Sequence, residues 1–261
     1  MKTEAVTQNE GYRLLVAVGL ISYGLVHAVI AWIALQLAWG GGGGEASSQG
    51  ALTQLGRQPL GSVLLWVVAV GMFALVGWQV LEAAVGYGWM EQTKRLRRRI
   101  SSAVRALVYL AIGLSAAKVA LGAGPQSGDE AQETVTSRLL GAPFGRILVV
   151  ALGLVVIAVG VHQIVKAVKK KFVEELSGSV SPTTVRLGTA GYIAKGVALA
   201  IVGVLFIWAA ASYDPDKAGG IDAALKTIRD QPFGSVLLTV MALGILAFGL
   251  YCFNWARNAR R

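Results

Sequence analysis

Gln58-Pro59-Leu60-Gly61-Ser62-Val63-Leu64-Leu65 returns as Gln231-Pro232-Phe233-Gly234-Ser235-Val236-Leu237-Leu238, with one apolar-for-apolar change. A looser copy, Ala142-Pro143-Phe144-Gly145-Arg146-Ile147-Leu148-Val149, stands between them. Pro59, Pro143 and Pro232 are 84 and 89 residues apart. That period is longer than a soluble solenoid repeat and suits a two-helix membrane hairpin with its connections. The spacing therefore predicts three copies of one unit, at 12–90, 100–170 and 184–257.

Working outward from the motif, each copy contains two apolar stretches of about twenty residues or more, the length that a membrane-spanning helix requires. The chain is 55% hydrophobic and only 15% charged, and the charges cluster in a few links, which places it among integral membrane proteins. The net charge of +10 lies beside the apolar stretches. Anionic headgroups and the retention of basic loops account for it there, and nucleic-acid binding is excluded. A single cysteine, Cys252, rules out an intrachain disulfide and a Cys/Cys metal motif. The first stretch, 14–39, is too long for the apolar core of a signal peptide and is expected to remain as an anchor.

The six expected spans are 14–39, 60–89, 103–121, 143–165, 185–213 and 233–256. Gly40 to Gly44 end the first, because glycine accepts the left-handed cap and a run of five holds no structure of its own. Ahead of each motif proline the pattern predicts a short amphipathic helix: 51–55, then Ala131, Val135 and Leu139 on one face, then Ile221, Leu225 and Ile228. Pro59, Pro143 and Pro232 are expected in the first turn of the descending helices, where their missing N–H is harmless, with Gly61, Gly145 and Gly234 permitting close packing. A two-helix repeat preserves orientation, so the copies are parallel and related by a pseudo-threefold axis along the membrane normal. The links at 91–102 and 166–171 and the C-terminus are basic, which predicts both termini in the cytoplasm and the Gly-rich and acidic links outside. Trp39, Trp66 and Trp208 then fall near the outer boundary, Trp89 and Trp255 near the inner one.

The triplicated pair of apolar helices, with Gly50-Ala51-Leu52 leading to Gln-Pro-Leu-Gly, resembles the actinobacterial membrane-protein family called domain of unknown function 1206. The resemblance covers nearly the whole chain. It implies a bacterial plasma membrane and brings no activity with it. The second copy departs most, with Ala142 and Arg146 where the others have Gln and Ser.

Ionisable groups inside apolar stretches mark the places to look for function in a membrane protein. Here they are His27, Glu82, Lys118, Arg146, His162 and Lys195. Lys118 and Arg146 stand near helix ends and are expected to snorkel. His27 lies fourteen residues past Arg13, ~21 Å along the axis at 1.5 Å per residue, and is read as a neutral imidazole bonded to a neighbouring helix. Glu82 and Lys195 either snorkel or neutralise each other as a pair. A haem held by His27 and His162 is disfavoured, since the two occupy non-equivalent positions. Aligned copies match Tyr23, Tyr109 and Tyr192, and match Trp78-Gln79, His162-Gln163 and Tyr251-Cys252, which predicts a polar girdle around the axis. No nucleotide loop, nucleophile elbow or metalloprotease motif is present. The expectation is a non-enzymatic accessory or scaffold protein without catalytic residues, metal or cofactor, whose partners are membrane lipids and other membrane proteins. The alternative is a small transporter or channel using the intramembrane polar groups.

Overall fold

The computed structural model describes residues 10–40, 44–88, 91–123, 127–176 and 180–258, and the regular elements among them are helices. In chain order they are α1 (Glu10–Ala38), α2 (Ser48–Gly56), α3 (Gly61–Val85), α4 (Gln92–Ala120), α5 (Gly128–Leu140), α6 (Gly145–Val168), α7 (Pro182–Ser212), α8 (Ile221–Arg229) and α9 (Gly234–Asn258). Short 3-10 turns at Lys171–Glu175 and Pro215–Lys217 complete the set. By length and composition, α1, α3, α4, α6, α7 and α9 are each able to cross a membrane. The short helices α2, α5 and α8 cluster at one end, called here the link end; the opposite end carries the basic segments.

The Pro-x-Gly motif is a tight turn, and it sits before the helix. Gly61 N–H donates to Gln58 O at 2.8 Å, Gly145 to Ala142 at 2.9 Å and Gly234 to Gln231 at 2.8 Å. The residue after each proline is left-handed, with φ of 65° at Leu60, 60° at Phe144 and 60° at Phe233. Pro followed by a positive φ is the pattern of a type II turn, normally Pro-Gly. Here the glycine has moved one place on, because the descending helix folds back against the end of the short one. A Cβ on Gly61 would stand 2.5 Å from the Gly56 and Leu55 carbonyl oxygens, and at Gly145 and Gly234 it would run into Leu139 O and Arg229 O. The prolines are thus turn residues rather than first-turn helix residues as expected. The left-handed Leu60, Phe144 and Phe233 are 78%, 80% and 84% exposed.

The second span of each repeat packs on the first span of the next: α3 on α4, α6 on α7, and α9 on α1, which closes the cycle. Glycines set these approaches. A Cβ on Gly153 would lie 2.7 Å from Gly203 O, and one on Gly160 would lie 2.6 Å from Gly196 O. Gly24 and Gly249 face each other likewise, each Cβ 2.8 Å from the other's carbonyl oxygen. Small residues at such crossings let backbones meet closely, the dominant way to gain contact where lipid removes the hydrophobic drive between helices. Within repeats, α1 packs on α3 and α7 on α9, but α4 and α6 do not pack along their lengths. The six long helices therefore run in the order α6, α7, α9, α1, α3, α4, leaving a seam between the two helices of the second repeat.

Several expectations need correction. The basic stretch 91–102 is not a loop; it forms the first turns of α4. On α5 the inner side carries Gly128, Thr136 and Leu140, whereas Val135 is 50% exposed. The buried side therefore lies one residue away from the apolar pattern, with the Gly128 N–H held by Glu45 of the first link at 2.9 Å. Trp255 is not a boundary residue: it is 3% exposed, its ring 5.8 Å from Tyr251 and 6.2 Å from Trp78. Trp39, Trp66 and Trp208 are exposed towards the link end. Trp89, Gly41 to Gly43 and Arg260–Arg261 fall outside the described residues, as does the side chain of Arg13.

Candidate functional site

At the link end three carboxylates tie the three links in a cycle. Glu45 of the first link accepts the Gly128 N–H of the second at 2.9 Å. Asp129 of the second accepts the Gly220 N–H of the third at 2.7 Å, and Asp222 of the third accepts the Ala46 N–H of the first at 2.7 Å. Each bond satisfies an amide at or just before a short helix, where N–H groups lack intrahelical partners and the helix dipole favours negative charge. Lys226, one turn beyond Asp222, meets that buried carboxylate at 2.6 Å. Burial raises the Asp129 carboxyl above its ordinary range; the Gly220 N–H opposes this, the Asp222 and Glu45 charges add to it, and Lys226 counters them. The hydrogen bond to Asp222 raises the Lys226 ammonium pKa.

Sequence reasoning missed this ring. A signal for two of its members was present, since Glu45 and Asp129 stand the same 14 residues ahead of Pro59 and Pro143, but Asp222 is 10 ahead of Pro232. The acceptors are bound by backbone N–H groups, which leave no side-chain pattern to read.

Midway along the bundle the aligned tyrosines do converge. Tyr23 and Tyr109 lie edge to face at 5.2 Å; Phe248 joins them at 5.9 Å from Tyr23 and 5.2 Å from Tyr192. Lys195 enters this aromatic layer, its Nζ donating to Tyr23 Oη at 2.9 Å and standing 3.8 Å from the centroid of Phe248. The charge is met by a phenol oxygen and by ring faces, whose quadrupoles attract cations. His27, one turn along α1 from Tyr23, donates Nδ1–H to the Tyr23 carbonyl at 2.9 Å and packs on Phe248 at 4.8 Å. Its partner is its own helix, not a neighbouring one.

Glu82 is not brought to Lys195. It lies in the last turn of α3, half-buried, with the Tyr87 and Trp78 side chains as hydrogen-bond partners and Arg105 as its nearby cation. Among the described residues no ion pair joins Glu82 to Lys195. Lys195 points between α1 and α9, whereas α3 packs on α1 and α4, so equal depth does not bring the two groups together. His162 is exposed on α6 and His27 is buried against α9, so the two histidines do not form a facing pair. Arg146 is exposed and donates to Ala211 O at 3.1 Å, satisfying a terminal carbonyl of α7; Lys118 is exposed.

A buried lysine, Lys166, was read from the sequence only as part of a basic helix end. Lys166 donates to Tyr192 Oη at 3.1 Å and lies 4.4 Å from that ring, with Phe172 stacked on Tyr192 at 5.4 Å. The proline alignment could have found it, since Lys166, Glu82 and Trp255 each stand 23 residues after their motif proline. Among the described residues no group of three or more His, Cys, Asp or Glu side chains is placed to hold a metal ion.

No solved structure matches the chain. A Bacillus subtilis (strain 168) protein named "Uncharacterized protein YxxB" is 32% identical over 241 residues, covering 89% of this chain and 86% of that protein. It extends the resemblance beyond the actinobacteria. The family model described as Domain of Unknown Function matches three times, at 18–86, 100–170 and 190–259. Each match spans the two long helices of one repeat, α1 with α3, α4 with α6 and α7 with α9, and the chain belongs to the family Domain of Unknown Function (DUF1206).

Proposed function

We propose that the protein is a non-enzymatic accessory or scaffold component of a bacterial plasma membrane, binding lipid or other membrane proteins. The observation that carries this reading is the way its interior charge is used: Lys195 and Lys166 each spend a donor on a tyrosine of the same bundle. The spanning helices are also continuous, without the broken central segments that form midplane substrate sites in many transporters. The transport alternative is favoured by one feature, a lysine in the middle of α7.

The experiment is native-membrane co-purification after mild crosslinking, beside a flux assay in sealed proteoliposomes. Stoichiometric recovery of defined membrane proteins or lipids without flux supports the scaffold reading. Protein-dependent flux that Lys195→Met abolishes replaces it with transport. Orientation is proposed with the basic end and both termini in the cytoplasm, on the retention of basic segments. Gly40→Cys and Asp216→Cys are then expected to react with an impermeant maleimide from outside, and Arg97→Cys and Lys170→Cys are not; the reverse labelling inverts the protein.

A further inference from the structure

The seam between α4 and α6 has a local cause. In the first repeat α1 and α3 meet where Ser22 faces Gly71, a Cβ on which would lie 2.7 Å from Ser22 Oγ. In the third, α7 and α9 meet through Gly191 and Gly244, whose Cβ atoms would lie 2.6 Å from Phe248 and 2.5 Å from Ala194. The aligned residues of the second repeat are Val108, for Ser22 and Gly191, and Val155, for Gly71 and Gly244. A third contact of the first repeat, Gly19, whose Cβ would lie 2.5 Å from Gly71 O, is Arg105 in the second. Branched and long side chains at these positions keep the pair apart.

The seam is consequently lined by apolar groups without a helix on them. Val155 and Val159 are 59% and 43% exposed, whereas Leu75 and Phe248, the equivalents of Val159, are 0% and 2% exposed. His162 continues this side of α6 towards the basic end, one turn beyond Val159. Around His162 stand the charges of Lys166, Arg97, Lys171 and Arg105, two contributed by α4 and two from α6 and the turn that follows it. The two segments bounding this mouth, 91–105 and 166–175, contain ten Lys or Arg against three Glu. Two of those acids are already engaged, Glu91 with Lys94 at 2.7 Å and Glu174 with Arg98 at 3.4 Å.

An apolar slot that ends in an excess of cations matches one kind of molecule. We propose that the α4–α6 seam is a lateral binding site for a phospholipid with an anionic headgroup, its acyl chain lying along Val108, Val155 and Val159 and its phosphate at the mouth around His162. Basic pockets between spanning helices bind phosphate headgroups through charge and hydrogen bonds, and the acyl chain supplies the apolar area that a helix contact supplies in the other two repeats. A second copy of the chain or a partner helix would fit the slot by shape but would leave the cationic mouth unmatched. The site rests on the reading of the protein as a lipid- or protein-binding scaffold and names its ligand.

The test uses the full chain in nanodiscs containing a photoactivatable phosphatidylglycerol or the corresponding phosphatidylcholine. Phosphatidylglycerol is expected to crosslink to peptides covering 155–162, at least tenfold above phosphatidylcholine. Native mass spectrometry is expected to retain one such lipid per chain. Arg97→Gln with Lys171→Gln should remove the headgroup preference, and Val108→Phe with Val159→Phe should remove the retained lipid. The wild-type crosslink stands as evidence even where a variant fails to fold. Equal crosslinking of the two lipids, crosslinks spread evenly round the bundle, or a stoichiometric dimer or partner helix joined through Val159→Cys overturns the site. Loss of the site without proteoliposome flux leaves the scaffold reading in place, and flux with an intact lipid crosslink removes the scaffold reading alone.

Discussion

The Asp222 carboxylate accepts the Ala46 amide N–H at 2.7 Å, across 176 residues of chain, and thereby completes a cycle in which each link is fastened to the next. Its closure joins the last repeat to the first, as the packing of α9 on α1 does.

Removing the Asp222 carboxylate strips a partner from a fully buried residue, Ala46, and from Lys226 together. Leaving a buried amide unsatisfied costs about 1–3 kcal/mol. Asp222→Ala is therefore expected to lower the thermal midpoint in detergent by several degrees. Asp222→Asn, which keeps an acceptor but loses the ion pair, should lower it less. The Lys226 contribution is present below its ordinary pKa of 10.5 and is lost as pH rises through its raised folded value. Equal midpoints for wild type and Asp222→Ala would refute the ring as a stabilising feature.

Removing the Asp129 charge should act in the opposite direction to removing that of Asp222. Its carboxyl pKa is raised in the folded chain above the ordinary 3.8, so the folded state holds that proton more tightly than the unfolded state does. The favourable contribution is fully present below about pH 3.8 and disappears as pH rises through the folded value. At neutral pH Asp129→Asn keeps an acceptor for the Gly220 N–H and removes repulsion from Asp222 and Glu45. The variant is expected to melt above wild type at pH 7, with the difference shrinking as the pH approaches 4. A difference that grows on acidification would contradict the assignment.

How far the fold was legible follows from what kind of information each feature leaves in the side chains. The motif at 58–65 and its copies carry a turn, so they reveal the period, and the apolar runs around them reveal the helices. Aligning the copies also placed Tyr23, Tyr109 and Tyr192 in one layer, because a symmetric repeat converts equal position into equal depth. Azimuth is not conveyed in that way. Glu82 and Lys195 were paired by depth, but which sides of two helices meet depends on which helices are neighbours, and here each second span leans on the next repeat. Spacing grouped Ala131, Val135 and Leu139 on one face of α5, yet Val135 is 50% exposed and the buried side is one residue further on, at Thr136 and Leu140. The seam at Arg105, Val108 and Val155 could be read once the small residues at the equivalent positions were known to be contacts.

The α6–α7 crossing should tolerate little added volume. Gly160 and Gly196 face each other so closely that a Cβ on either would lie 2.6 Å from the other's backbone carbonyl oxygen. Gly77, on α3, has nothing within 4 Å of the same position. Overpacking of tight interfaces typically costs about 1–3 kcal/mol. Gly160→Val and Gly196→Val are expected to lower the detergent midpoint strongly, and Gly77→Ala to leave it unchanged or raise it slightly through better helix propensity. Comparable losses at all three sites would show that the close approach is not what the glycines provide.

Lys195 supplies a test of how a part-buried ammonium is held by a phenol and ring faces. Its Nζ lies 2.9 Å from Tyr23 Oη and 3.8 Å from the Phe248 centroid, and Glu82 is committed elsewhere, to Tyr87 and Trp78. Tyr23→Phe removes the hydrogen-bond acceptor of the ammonium, and a hydrogen bond to a charged group is worth about 1.5–3 kcal/mol. Lys195→Met removes the charge itself and leaves an apolar chain of similar length, an exchange that is often neutral or stabilising at buried ionic sites. Tyr23→Phe alone is therefore expected to destabilise the protein, Lys195→Met alone to be neutral or better, and Tyr23→Phe to cost little in the Lys195→Met background. Glu82 and Lys195 use different hydrogen-bond partners, so the effects of Glu82→Gln and Lys195→Met should add to within about 0.5 kcal/mol, as they do for independent sites. A strong coupling between Glu82 and Lys195 in such a cycle, or its absence between Tyr23 and Lys195, would mean that the lysine answers to the carboxylate and not to the phenol.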